Sequence, residues 1–197
     1  LNYRLWPQYP YPSQQNDAMD AWVYLTGAAG YAADHIFVVG DSAGGNLVAA
    51  ACLKNAETHR LHPCCVLMEY FPTDNTVDPL RRLSPELQKD PFWAKRAETE
   101  KLYTDFYVGK ADPADPLCSP AKAADEALAS FPDSLILSAG EDSLREDVEA
   151  FVLRLVKAGV CVTAQRIPEA MHGFTTNRTP GWERALALHC KFFRQHL

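Results

Sequence analysis

The chain has 197 residues, 47% hydrophobic and 22% charged, which suits one soluble globular domain with a sizeable core. A net charge of −6 and a pI near 5.5 argue against nucleic acid or anionic membranes as partners, since both attract basic surfaces. No apolar run approaches the ~18 residues of a membrane span, and the six cysteines, at 52, 64, 65, 118, 161 and 190, have no metal or redox spacing.

In chain order, Ser13 to about Ala28 reads as a helix, capped by Ser13 behind Pro12 and carrying Ala18, Ala21, Trp22 and Leu25 on one stripe. Ile36 to Val39 is apolar at every position, as a strand buried on both faces of a parallel sheet is. The chain then runs through Gly40-Asp41-Ser42-Ala43-Gly44-Gly45 into a helix-prone stretch from Asn46 to about His59. Cys64 to Phe71 reads as a second strand, with Cys64 and Cys65 facing opposite ways. Proline and charge dominate from 73 to 120, with one helical piece over Trp93 to Tyr107. Alternation then resumes: a strand at 134–139, a helix at about 144–158 ended by Gly159, a strand at 160–167, and a helix at 180–196 opened by Pro180. No repeat or low-complexity tract interrupts it. Alternating β and α units imply an α/β architecture, a mostly parallel sheet with helices on both faces.

A serine inside G-x-S-x-G, between a strand and a helix, has the context of a nucleophile elbow. Such a turn holds Ser42 in a strained conformation with its hydroxyl lifted clear of the sheet. Gly40 and Gly44 are expected to be glycine because a side chain at either would collide with its neighbours. The helix N-terminus aims free N–H groups at the place where negative charge develops, which makes the backbone N–H of Ala43 an oxyanion donor. The bland alternative is a Gly/Ser turn without chemical consequence.

The best general base is His172, in Glu169-Ala170-Met171-His172-Gly173-Phe174, after a strand closed by Pro168. His35, His59, His62, His189 and His196 have duller explanations as solvated or packing residues. Asp142 is the expected acid, because it lies just past the C-terminal end of strand 134–139, where catalytic groups gather in open α/β sheets. Its alternative role is a helix N-cap, with Ser143 competing for the cap. Asp74 is the runner-up acid. The chain order Ser42, Asp142, His172 is the order used by α/β-hydrolases.

Four segments carry a resemblance to a family. Tyr3-Arg4-Leu5-Trp6-Pro7 is similar to D-Y-R-L-A-P, Gly40 to Gly45 to G-D-S-A-G-G, Asp142 to Arg145 to D-P-L-R, and His172-Gly173-Phe174 to H-G-F. Asp112 to Pro116 with Ser119-Pro120 resembles the stretch before the acid strand. Together they resemble the hormone-sensitive-lipase-like branch of the α/β-hydrolase fold, a group of esterases and lipases. The departures are Asn2 for Asp, Trp6 for Ala, Gln8 for Glu and Ser143 for Pro. The resemblance implies a serine esterase for short-chain acyl esters that uses Ser42, His172 and Asp142, forms an acyl-enzyme, and needs no metal or cofactor. The cysteines then read as free buried thiols of a cytoplasmic enzyme. Residues 73–120 become a lid-like insertion, where Phe92, Trp93, Tyr103, Phe106 and Tyr107 either line an acyl site or pack the lid helix.

The family also carries an H-G-G-G segment upstream that completes the oxyanion hole, and no H-G-G-G occurs in these residues. The resemblance places Leu1 within the family's fourth strand, so the chain reads as the C-terminal two-thirds of the fold without its N-terminal strands. That predicts an open apolar edge at Ile36 to Val39, prone to aggregation or to pairing with another chain, a homo-oligomer included. It also leaves open a weak or silent remnant or a binding member, because the family includes a plant hormone receptor lacking the catalytic histidine. Amide or peptide cleavage is the third reading.

Overall fold

The apolar runs form strands that line up in chain order. In the computed structural model, which describes residues 1–58 and 63–197, β1 (Phe37–Asp41), β2 (Cys65–Glu69), β3 (Ser134–Ala139) and β4 (Val162–Ile167) make one parallel sheet in the order β1-β2-β3-β4. The register sets Gly40 beside Met68, Met68 beside Ile136 and Leu137 beside Gln165. Every residue of β2 and β3 is buried, as their continuous apolar runs require. At the edge, β1 has Phe37 and Val38 half-buried and Val39 55% exposed.

Around the sheet lie α1 (Ser13–Thr26), α2 (Ala43–Thr58), α3 (Pro91–Val108), α4 (Asp125–Leu128), α5 (Arg145–Lys157), α6 (Phe174–Asn177) and α7 (Trp182–Arg194). The two-residue period of the strands sorts their side chains between two layers. Val66, Met68 and Ile136 pack with Trp22 of α1, Val48 and Cys52 of α2, and Phe151 and Leu155 of α5. Cys65, Leu67, Leu135 and Leu137 pack with Phe174, and with Ala185 and Phe192 of α7. On α5, Val148, Phe151 and Leu155 form one buried stripe. Each large side chain so buried contributes about 1.5–3 kcal/mol.

Several local expectations are corrected. Residues 1–5 are not in a strand. Arg4 instead donates from its backbone N and its Nε to the Asp17 carboxylate on α1, at 2.7 and 2.8 Å. Ser13 does not cap α1: Pro12 holds the N-cap position and no side chain bonds there. Beside Trp22, α1 buries Gln14 and Gln15, because carbonyls of the neighbouring coil need donors. Gln14 Nε2 donates to the carbonyls of Arg4 and Tyr9, and Gln15 Nε2 to Tyr107 Oη and the Leu117 carbonyl. Pro180 stays outside α7, which begins after Gly181. The four-residue α4 and α6 are too short to show periodicity. His59 and His62 lie outside the described residues.

The thiols are not all buried. Cys52, Cys65 and Cys118 are, Cys64 is half-buried, and Cys161 and Cys190 are exposed. Cys64 sits one residue before β2, with its thiol 3.2 Å from the His196 carbonyl. Burial pushes Cys52 and Cys118 up to about 12. A disulfide-exchange reagent should therefore modify Cys161 and Cys190 in the native protein and reach Cys52 and Cys118 only on unfolding, as peptide mapping would show.

The turn from β1 to α2 leaves no room for a side chain at two of its three glycines. A Cβ added at Gly40 would lie 2.3 Å from the Gly44 carbonyl oxygen, and one at Gly45 would lie 2.6 Å from Phe71 Cβ. A Cβ at Gly44 meets nothing within 4 Å. Packing therefore requires Gly40 and Gly45, and not Gly44 as the motif suggested. Gly40→Ala should cost about 2–3 kcal/mol through overpacking against backbone. Gly44→Ala should be neutral or gain up to about 1 kcal/mol of helix propensity. Denaturant melts of the two variants measure the contrast.

Candidate active site

Ser42 sits between the last residue of β1 and the first of α2 with φ 51°, the left-handed strain expected of it. Its N–H donates to the Glu69 carbonyl at 2.9 Å, and its own carbonyl accepts from Asn46 N at 3.2 Å. β2 and α2 thus hold the turn from both sides. The hydroxyl stands 2.7 Å from His172 Nε2, and His172 Nδ1 stands 2.7 Å from Asp142 Oδ2. A carboxylate can only accept, so Nδ1 carries the ring proton and Nε2 is left to accept from Ser42.

The Asp142 side chain is 1% exposed. Its Oδ1 accepts from Leu144 N at 3.3 Å and lies 3.9 Å from Arg96 Nη2. Asp142 is therefore not the N-cap of α5: Leu144 holds that position without a side-chain bond, and Asp142 only takes the N–H of Leu144 two residues on. Ser143 does not compete for the cap. It donates to Glu100 Oε2 of α3 at 2.9 Å, and Glu100 in turn accepts from Arg96 Nε at 3.1 Å.

The structure brings Ser42, His172 and Asp142 together and leaves the other candidates elsewhere. Asp74 is bound to Lys122 at 2.8 Å and to Thr76 Oγ1 at 2.6 Å. Burial pulls its carboxyl up, but these hydrogen bonds outweigh that and hold it below its usual range. His189 meets Glu69 at 2.8 Å, and His196 bonds the Phe192 carbonyl and Asp133. His35 ends a short turn before β1.

Ser42, Ala43 and His172 open onto a cleft of about 860 Å³. Ala43 begins α2, so its N–H is among those the helix itself does not use. The expected aromatics divide. Tyr103, Phe106 and Tyr107 line the cleft, whereas Phe92 and Trp93 do not and pair edge to face at 5.4 Å. Tyr107 also donates to Asn46 Oδ1 at 2.9 Å, tying α3 to α2. Trp6 stacks on Phe106 at 4.2 Å between ring centres, and both line the cleft. Two arginines line it as well, each paired: Arg82 with Asp147 at 2.6 Å and Arg96 with Glu100.

Sequence reasoning missed Arg96, Glu100 and Tyr70. Tyr70 has φ 34° and sets its ring edge against the His172 imidazole at 5.2 Å. Burial pushes its phenol up to about 12, so it stays a neutral donor. No local motif marks these three. Among the described residues, no group of His, Cys, Asp and Glu side chains could hold a metal ion. No helix among them is long and apolar enough to cross a membrane.

Comparisons with known proteins agree with the α/β fold. A family described as alpha/beta hydrolase fold matches residues 1–176. The chain is 32% identical to the carboxylic ester hydrolase LipN of Mycobacterium tuberculosis, over 88% of this chain and 47% of that protein. It is also 32% identical to an ethyl acetate hydrolase of Pseudomonas putida, over 88% of this chain and 54% of that protein. Among solved structures, a hormone-sensitive lipase from a metagenome library superposes with a TM-score of 0.85 at 30% identity, covering 99% of this chain and 65% of the other. Carboxyl esterase 2 of the fungus Tuber melanosporum superposes with a TM-score of 0.83 at 26% identity, covering 100% of this chain and 66% of the other. The chain spans about half the length of the curated relatives it matches.

Proposed function

Because the chain belongs to the α/β-hydrolase fold family, we propose that it is a serine carboxylic-ester hydrolase for short-chain acyl esters. Ser42 is the nucleophile, His172 the general base and Asp142 the acid that orients it. One observation carries the reading: an unbroken hydrogen-bond chain, 2.7 Å at each step, from a buried carboxylate to a strained serine that faces a cleft.

Chemistry follows from the contacts. Ser42 Oγ attacks the ester carbonyl carbon as its proton passes to His172 Nε2. Asp142 keeps the Nδ1 proton in place and stabilises the imidazolium that forms. The oxyanion takes the N–H of Ala43, a donor of the kind worth roughly 3 kcal/mol of barrier. His172 then protonates the departing alcohol, leaving an acyl-serine. Water activated by the same imidazole hydrolyses it.

The preference for small acyl groups draws support from Trp6, where the resembling family has Ala. Its stack on Phe106 fills space that a longer chain would use. The helix α3 supplies Thr99, Tyr103, Phe106 and Tyr107 to the cleft and is the covering element of the 73–120 insertion. A binding-only member is less well supported, since binding alone gives no reason for a buried carboxylate to orient an imidazole toward a strained serine.

A fluorophosphonate probe should label the wild type and fail to label Ser42→Ala. Turnover of p-nitrophenyl acetate should fall by about 10⁴ in Asp142→Asn, which leaves the wrong tautomer, and stay near wild type in Asp74→Asn. Equal losses in the two would reassign the acid. Trp6→Ala should raise the octanoate-to-acetate ratio of kcat/KM by about tenfold, the scale of one methylene in an apolar pocket. An unchanged ratio would remove Trp6 from the acyl site.

A further inference from the structure

A second carboxylate, which the hydrolysis steps do not use, lies at the C-terminal end of β2. Glu69 is 3% exposed. Its backbone carbonyl accepts from the Ser42 N–H at 2.9 Å, so it already touches the nucleophile's turn. Its side chain reaches two other elements: Oε2 accepts from Thr175 Oγ1 of α6 at 2.8 Å, and Oε1 faces His189 Nε2 of α7 at 2.8 Å. α6 begins two residues after His172. A parallel set of bonds runs beside it. Thr176 Oγ1 donates to Asp41 Oδ2 at 2.8 Å, and Tyr70 Oη lies 3.2 Å from the same oxygen and also bonds Thr175. Asp41 directly precedes Ser42, and Tyr70 directly follows Glu69.

We infer that Glu69 is a positioning residue, clamped by Thr175 and His189, that sets the loop bearing His172 at its working distance from Ser42. This rests on the hydrolase reading of those two side chains. The reason is geometric. Ser42 and His172 lie on separate turns, and their contact is only as good as the relative placement of those turns. Glu69 is bonded to both, through its carbonyl to one and its carboxylate to the other. A buried carboxylate costs free energy unless it is hydrogen-bonded, and here both oxygens have partners. Loss of the Thr175 bond loosens α6, which the Thr176–Asp41 bond and the buried Phe174 still hold, and the imidazole shifts with it. A displacement of about 1 Å can cost about a hundredfold in rate, so a partial loosening should cost about tenfold. The loss belongs in kcat, because neither Glu69 nor Thr175 lines the cleft.

The test compares Thr175→Val and Glu69→Leu, which remove the bond at similar volume, with Thr175→Ser and Glu69→Gln, which keep a donor and an acceptor. With p-nitrophenyl acetate, the first pair should lose about tenfold in kcat with KM within about twofold, and the second pair should recover most of it. The double variant Thr175→Val/Glu69→Leu should lose less than the product of the two single losses, as for two ends of one contact, any excess over Glu69→Leu reporting the bond of Thr175 to Tyr70. If Glu69→Leu does not fold, Thr175→Val decides. A proton NMR resonance of His172 Nδ1, assigned by its loss in His172→Gln, gives a readout that needs no turnover. It should shift or broaden in Thr175→Val and return in Thr175→Ser. Lowered melting temperatures with unchanged kcat and an unmoved resonance would overturn the inference and reduce Glu69 to a packing element. A wild type that neither turns over the ester nor takes the fluorophosphonate would sink the esterase reading instead. The resonance would then decide the positioning role by itself.

Discussion

The left-handed backbone of Ser42 is the constraint around which the rest of the molecule is arranged. A residue with a side chain resists φ 51° by about 1–3 kcal/mol, so its surroundings must impose it. Three elements do so. β1 delivers the chain, the Glu69 carbonyl at the end of β2 takes the Ser42 N–H, and α2 starts at the next residue and takes the Ser42 carbonyl. Gly40 lets the strand pass within contact of the helix backbone, and Gly45 lets the helix lie on Phe71. The fully buried interior of β2 and β3 keeps that assembly from relaxing.

The electrostatics are arranged in the same spirit. The Asp142 side chain is withdrawn from water, and a lone buried carboxylate would be strongly disfavoured. It is satisfied by the imidazole on one oxygen and by the Leu144 N–H on the other, with the Arg96 guanidinium nearby. Little water competes for it, so its hold on the His172 ring N–H is stronger than it would be on the surface. The helix α3 reaches this region through Arg96 and Glu100, and Ser143 joins the acid's loop to Glu100. The helix that lines the cleft is thereby connected to the loop that carries Asp142.

The buried strands were legible because apolar runs leave little choice of environment, and β3 has the expected limits, 134 to 139. The meeting of Ser42, His172 and Asp142 was legible because each sits in a distinctive local context just past a strand, and the three side chains are indeed adjacent. The remainder depended on partners far along the chain. Thr175 and Glu69 are 106 positions apart, His189 and Glu69 are 120 apart, and Ser143 and Glu100 are 43 apart. No local pattern encodes such pairs. Buried Gln14 and Gln15 defied the amphipathic rule because nearby coil carbonyls needed donors. Gly44 was misassigned for a related reason: a motif shows that glycines cluster, and only the packing shows which of them is crowded.

The indole of Trp6 sits face to face with Phe106 inside the cleft while remaining 44% exposed. Trp22, by contrast, is buried in the layer beneath. An occupant of the cleft would strip solvent from one of these chromophores and leave the other untouched. Of the four tryptophans only Trp6 lines the cleft, so the part of the emission that moves when the cleft fills, and that a Trp6→Phe change removes, is an optical gauge of occupancy.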